Sequence, residues 1–240
     1  MWELLILIGV ILGLHWWEYS TSVQEYTFAQ PATLDRHEEL RALIGEKTPL
    51  AVEIGALPWR PEIVSKATWA VHTEKGSMTV GNWLAQTPRA TVTDEGHAAL
   101  AEEIGLATGL AELDSARQWW WLPQIRDCRV DILEPGDVNG FQWIKAERQW
   151  VGCSHGAPLT VWLVHSRYQR YMSGFAGDPW TMTVSDVPWI GRIQYIEVKV
   201  KPGWCIGLPA HWGFAVRPEG ATASWAWTGL QHSFLSLYLP

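Results

Sequence analysis

The sequence predicts a mainly β chain, a sandwich or barrel with flanking helices. Three observations carry this. From Arg126 onward, short runs rich in Val, Ile, Thr and Trp alternate with Pro- and Gly-containing turns, the spacing of many short strands. Hydrophobic residues make up 48% and charged residues 18% of the chain, ample material for a core and too little charge for disorder. A length of 240 residues suits one β-rich domain of this kind.

The elements follow in order. Residues 1–17 form a membrane anchor or interfacial helix in this reading. No residue between Leu4 and Leu14 is polar, and Trp16 and Trp17 follow at once. The membrane-facing candidates are Leu4, Leu5, Ile6, Leu7, Ile8, Val10, Ile11, Leu12, Leu14, Trp16 and Trp17. A 16-residue helix covers roughly 24 Å, somewhat short of the ~30 Å hydrocarbon core, and flanking Trp suits the headgroup level. A secretory signal would want Lys or Arg before the apolar run, and none is present. The alternative is a buried first helix of the domain. Residues 18–30 are polar and mixed, which suits a stalk.

Residues 31–240 are then one domain, with a helical and mixed part at 31–125 and a β-rich core at 126–240. Leu34–Ile44 has helical apolar spacing and stops at Gly45. Residues 49–57 read as a strand closed by Pro58, whereas 63–73 and 77–84 fit strand or short helix. Thr93-Asp94-Glu95 opens a helix with an N-cap and dipole-favourable acids. The strand-like runs are 129–133, 138–146, 149–153, 159–165, 180–184, 193–200, 204–208, 214–217, 223–228 and 234–239. Glu134-Pro135-Gly136-Asp137 and Lys201-Pro202-Gly203-Trp204 are turn sequences.

Composition also excludes functions. A net charge of −7 with 18 scattered Lys and Arg leaves little to neutralise a phosphate backbone, so nucleic acid is not an expected partner. Three cysteines without CxxC spacing exclude a disulfide framework and a Cys-rich zinc module. No Gly-x-Ser-x-Gly elbow, phosphate loop or dinucleotide fingerprint occurs. Cys153 and His155 flank Ser154, but neighbouring strand residues point apart, which makes a nucleophilic pair stereochemically poor.

The segment from Tyr195 to Gly220, through Lys201-Pro202-Gly203-Trp204 and Pro209-Ala210-His211-Trp212-Gly213-Phe214, resembles the closing strands of cupin-like and JmjC-like domains. The stretch from Gly156 to Gly174 looks like an earlier strand pair of that family. The resemblance implies a double-stranded β-helix, a jelly roll, with an iron site and 2-oxoglutarate chemistry. This chain departs from that site. The distal histidine of the family's Pro-x-x-Trp-x-His motif is replaced by Phe214, and His155 is followed by Ala157 where a carboxylate is required for a two-His-one-carboxylate triad. His211, read as strand, lies three steps and about 10 Å from the motif position. The weak metal candidates are therefore His72, Glu74, His155 and His211, and no cofactor is expected.

Eighteen tryptophans stand out. Trp119, Trp120 and Trp121 cannot all face one core, and with Trp225 and Trp227 they are the candidates for partner binding. The latter two share a strand face and could equally be core, subunit contact or sugar platform. Arg167, Arg170, Lys199 and Lys201 fit an anion site or, more ordinarily, a solvated face. Asp178-Pro179-Trp180 and Asp186-Val187-Pro188-Trp189 read as loop corners covered by Trp.

The leading expectation is a non-catalytic, membrane-anchored structural or assembly protein with protein partners or self-association. Its layout resembles small virion membrane proteins of large DNA viruses. An Fe(II)/2-oxoglutarate-dependent hydroxylase with rearranged ligands and a carbohydrate-binding module are the alternatives.

Overall fold

The computed structural model of the protein describes residues 2–20, 27–29, 37–54, 69–86, 88–103, 105–106 and 125–232. Among the described residues, four helices come first or among short strands: α1 (Trp2–Ser20), α2 (His37–Gly45), α3 (Val80–Leu84) and α4 (Asp94–Glu103). The strands are β1 (Leu50–Glu53), β2 (Ala70–Thr73), β3 (Gly76–Thr79), β4 (Ile125–Leu133), β5 (Asn139–Trp143), β6 (Arg148–Gly156), β7 (Leu159–Val164), β8 (Tyr195–Val200), β9 (Trp204–Pro209), β10 (Gly213–Pro218) and β11 (Ser224–His232).

Two antiparallel sheets face each other. The first runs β1-β9-β6-β11-β4, the second β5-β10-β7-β8, and β2-β3 is a separate hairpin. Alternation along each strand divides the apolar residues between layers. Val151 and Cys153 of β6, Ile206 and Leu208 of β9, Leu159, Val161 and Leu163 of β7 and Phe214 of β10 fill the space between the sheets. The residues between them point outward. Trp150, Trp225, Trp227 and Cys205 meet Leu40, Leu100 and Val71 of the helical N-terminal part. On the far side, Trp162, Val164 and Ala215 are covered by Tyr168, Met172, Val187 and Ile193 of the long connection between β7 and β8.

Local chemistry explains the boundaries. Thr93 caps α4, its hydroxyl accepting from Gly96 N (3.2 Å). Both expected Pro-Gly turns close: Asp137 N donates to Glu134 O (2.9 Å) and Trp204 N to Lys201 O (3.0 Å), with Gly136 and Gly203 at φ +93 and +84. Pro sets φ before each glycine, and glycine alone takes the positive φ at little cost.

Some expectations change. Residues 77–84 are both strand and helix, β3 running directly into α3. The expected strand at 180–184 is absent; Asp178 instead accepts from Trp180 N (2.8 Å) and turns the chain. Trp189 is half exposed rather than covering its turn. The expected strand at 234–239 lies outside the described residues, as do residues 55–68.

Candidate functional site

The four metal candidates do not meet. His72 and Glu74 are exposed on the β2-β3 hairpin, Glu74 in its turn. His155 is exposed near the end of β6. Arg148, at the other end of β6, pairs with Pro209, and His211 lies beyond Pro209. Seven residues of strand therefore separate His155 from that end, roughly 23 Å. Among the described residues no group of three His, Cys, Asp or Glu is placed to hold a metal ion. The space between the sheets, where the family's iron would sit, is lined by Phe214, Trp212, Val161, Leu163 and Val216. Those side chains offer no lone pairs to a hard cation, so the residues do not fit an iron site.

His211 needs a correction. It is in a turn rather than a strand: Trp212 N donates to Pro209 O (3.4 Å), and His211 has φ 67. A non-glycine residue in this region is uncommon, so the strand-step distance applied to it from sequence does not hold.

What His211 contacts is α1. Its Nε2 lies 3.1 Å from Tyr19 O, a carbonyl, which makes the nitrogen the donor. The two rings meet edge to face at 4.9 Å. Tyr19 Oη–H donates to Lys145 O (2.7 Å), and burial, with the Glu147 carboxylate nearby, pushes the phenol above its ordinary range. Tyr19, Lys145 and Glu147 were not singled out from sequence. Tyr19 falls in the expected stalk, and only the folded turn brings residues 145–147 and 211 to one end of the sandwich. Ile144 N to Trp212 O (2.9 Å), His211 N to Ile144 O (2.9 Å) and Ala210 N to Glu147 O (3.0 Å) lock those two loops together.

Most of the helix is exposed, with His15 half-buried one turn before Tyr19. Leu4, Leu5, Ile6, Leu7, Ile8, Val10, Leu12, Leu14, Trp16 and Trp17 are all exposed, Leu4 at 61% and Trp17 at 72%, and Ile11 is half-buried. The apolar run as a whole is therefore not buried as a first helix of the domain would be. The apolar side chains are spread around the whole circumference rather than along one stripe. A helix of that kind requires cover from lipid or protein. Among the described residues no helix is long and apolar enough to cross a membrane. The run Leu4–Leu14 is roughly 16 Å long, about half the ~30 Å hydrocarbon core. The single-pass form of the expected anchor is therefore not carried forward.

The Trp candidates divide. Trp119, Trp120 and Trp121 lie outside the described residues. Trp225 and Trp227 are 5% and 0% exposed, sealed between β11 and the helical part, so neither a partner nor a sugar can reach them. The reason is cross-strand geometry. Trp227 pairs with Gly152 and Trp150 with Gly207. Each indole lies over a glycine whose absent side chain leaves the room; a Cβ on Gly207 would stand 2.6 Å from Trp150 Cζ3 and one on Gly152 would collide with the Trp227 indole.

Other chemical groups are already engaged. Cys153 is buried, its thiol directed at Ala157 O (3.4 Å), and burial pushes it up to about 12, far from a reactive thiolate. Arg167 bonds Tyr168 Oη (2.9 Å) and Gln194 (2.7 Å), Arg170 bonds Tyr171 Oη (2.6 Å), and Lys199 pairs with Glu219. These cations are not gathered at one anion site. A cleft of about 390 Å³ between α3 and β4 holds Arg89, His97, Asp131 and Glu134. Arg89 is paired to Glu134, His97 Nδ1 accepts from Val130 N (3.3 Å), and burial raises the Asp131 carboxyl. Among the described residues, Thr91 is the one hydroxyl side chain in the lining.

Comparison with known proteins adds no relative: no family model matches the chain, and no curated protein matches it.

Proposed function

We propose that the protein is a non-catalytic structural or assembly component attached to a membrane through α1. The observation that carries this is the exposure of apolar side chains around most of α1, from Leu4 to Leu14 and at Trp16 and Trp17, while Ile11, His15 and Tyr19 form a half-buried stripe and Tyr19 is hydrogen-bonded to Lys145 and His211. Trp2 at one end and Trp16 and Trp17 at the other favour headgroup depth, with Glu3 and His15 just inside them. Both ends are therefore held at the surface, and the helix lies along the interface rather than across it.

The domain it carries is, in this proposal, a jelly roll of the cupin and JmjC kind without its metal. Strand order supports that reading. Leaving β1 aside, β4-β11-β6-β9 faces β5-β10-β7-β8, and successive strands alternate between sheets except at the β7-β8 pair, the winding of a double-stranded β-helix. The apolar interior supports a scaffold role over an oxygenase. A place in a virus particle rests on layout alone and belongs to the same proposal as one form of assembly.

The test is vesicle flotation of the full chain against Leu7→Lys/Ile8→Lys. The wild type floats and the variant stays with the soluble fraction at unchanged thermal stability. Flotation of both, or of neither, overturns the membrane reading, and dimerisation through α1 without lipid assigns the helix to a second copy. Stoichiometric bound iron lost on His72→Ala or His155→Ala overturns the non-catalytic reading.

A further inference from the structure

The outer face of the second sheet carries a second recess, a cleft of about 260 Å³ between β7, β8 and the connection that follows β7. That is below the ~300–1,000 Å³ of pockets for drug-sized ligands, and suits one compact group. Its walls are Trp180 and Tyr195, with Trp162, 3% exposed, stacked behind Tyr195; its floor includes Met182 and Ile193, and Glu197 is its one charged side chain.

Register builds it. Trp162 on β7 pairs with Glu197 on β8, and Val164 with Tyr195, so alternation brings Tyr195 and Glu197 onto the face that Trp162 occupies. Trp162 and Tyr195 stack at 5.0 Å and 29°. Trp180 arrives from the connection, its Nε1–H donating to Glu197 Oε2 (3.0 Å). One face of Trp180 already accepts the Arg217 guanidinium at 4.3 Å, while Glu197 itself enters no ion pair among the described residues.

We infer that this cleft binds a quaternary ammonium group, presented as the choline head of a phospholipid. Aromatic faces and one carboxylate outside any ion pair attract a cation. A primary ammonium brings three N–H donors that need acceptors; Glu197 is the one carboxylate in the lining, and the floor of Met182 and Ile193 adds no further acceptor. A sugar ring has the same need for several hydrogen-bond partners. A trimethylammonium group has no donors and an apolar skin, which matches what the walls offer. Because Arg217 places a positive charge against Trp180, the preference for cations rests on Glu197.

The cleft also has the right position. Gly213 pairs with Val164, and Val164 with Tyr195. Tyr195 therefore sits in the same row as Gly213, two strand spacings or roughly 10 Å away. His211, which holds α1, is two residues before Gly213. Lipid covering α1 would present its headgroups at this end of the sandwich. The lipid source rests on the membrane reading above; the cleft's preference for a methylated cation does not.

The experiment uses the full chain and has two arms. In the first, soluble phosphocholine is titrated and its methyl protons are followed by saturation-transfer NMR. Saturable binding is expected, weakened roughly five- to tenfold by Glu197→Gln or Tyr195→Ala with circular dichroism unchanged. Absence of saturable binding, or equal binding by the variants, overturns the cleft. In the second, flotation is compared on phosphatidylcholine and phosphatidylethanolamine vesicles, whose heads differ in methylation. Wild type prefers the former. Glu197→Gln floats without preference, and Leu7→Lys/Ile8→Lys floats with neither. Equal flotation of wild type on both overturns the lipid source. Flotation on neither, with phosphocholine still bound, overturns membrane attachment and the lipid source together while leaving the methylated-cation chemistry standing.

Discussion

Cys153 and Cys205 illustrate how far burial alone can move a residue's chemistry. Both are 0% exposed; the first thiol is pushed up to about 12 and the second higher still, with loss of solvation the leading cause in each. In the unfolded chain a thiol ionises near ~8.5. As pH rises past that value, the unfolded state releases protons that the folded state keeps. Stability therefore falls by about 1.4 kcal/mol per pH unit per thiol, until pH passes the folded value, about 12 for Cys153. Urea unfolding between pH 8 and pH 10 should show stability falling with a slope that steepens toward roughly two protons at the upper end, and Cys153→Ala/Cys205→Ala should flatten it. Equal slopes would exclude the thiols as the cause. The Trp–Gly pairs make a second residue-scale prediction. Gly152→Ala drives a methyl into the Trp227 indole and should cost about 1–3 kcal/mol. Trp227→Ala leaves a cavity and should cost about 3–5 kcal/mol. Chemical denaturation checks both, and a neutral Gly152→Ala would show that the indole has room to move.

At the scale of elements, α1 and the turn 209–212 form one device. His211 sits at φ 67, a backbone state glycine takes more readily, yet its ring bonds Tyr19. The two roles separate in His211→Gly. Relief of the backbone should leave the sandwich as stable or about 1 kcal/mol more so, while the last turn of α1 loses amide protection in hydrogen exchange. Unchanged protection there would mean that Tyr19 Oη and Lys145 alone hold the helix. The β7-β8 connection is another element whose character is tertiary. It contains two short 3-10 turns, Ser166–Tyr171 and Ile190–Arg192. Its buried Tyr168, Met172 and Val187 cover the outer face of the second sheet, and this is what creates the aromatic cleft.

Across the whole molecule, pairing is dominated by distant segments. β4 bonds to β11, β1 to β9 and β5 to β10, so loop closure precedes most of the contacts that stabilise the fold. Such topologies fold on the order of milliseconds to seconds. Stopped-flow refolding followed by Trp fluorescence should fall in that range; submillisecond refolding would contradict the non-local sheet. The N-terminal part is also integral, since β1 is the edge of the first sheet and residues Leu40, Val71 and Leu100 seal Trp150, Trp225 and Trp227. Arg148 strengthens the join, donating to Ile44 O (2.8 Å) at the end of α2 while buried. Burial lowers its guanidinium to about 10; the contact is a hydrogen-bonded seam held against that penalty.

By itself the sequence determined the mainly β class, the Pro-Gly turns at 134–137 and 201–204, the Thr93 cap and nearly every strand in the second half. These depend on neighbours in the chain: alternation, φ restriction and local capping act within a few residues. It also determined that Phe214 cannot be a ligand. Only the tertiary structure decided which of the candidate residues are buried and which meet. Trp225 and Trp227 had the same pattern whether core or platform, and the helical layer packed over them settled it. His211 read as a strand residue until the turn put it against Tyr19, and Glu197 became notable only once register set it opposite Trp162. Each of these depends on contacts between residues far apart in the chain, and local pattern carries no information about which distant surface will arrive.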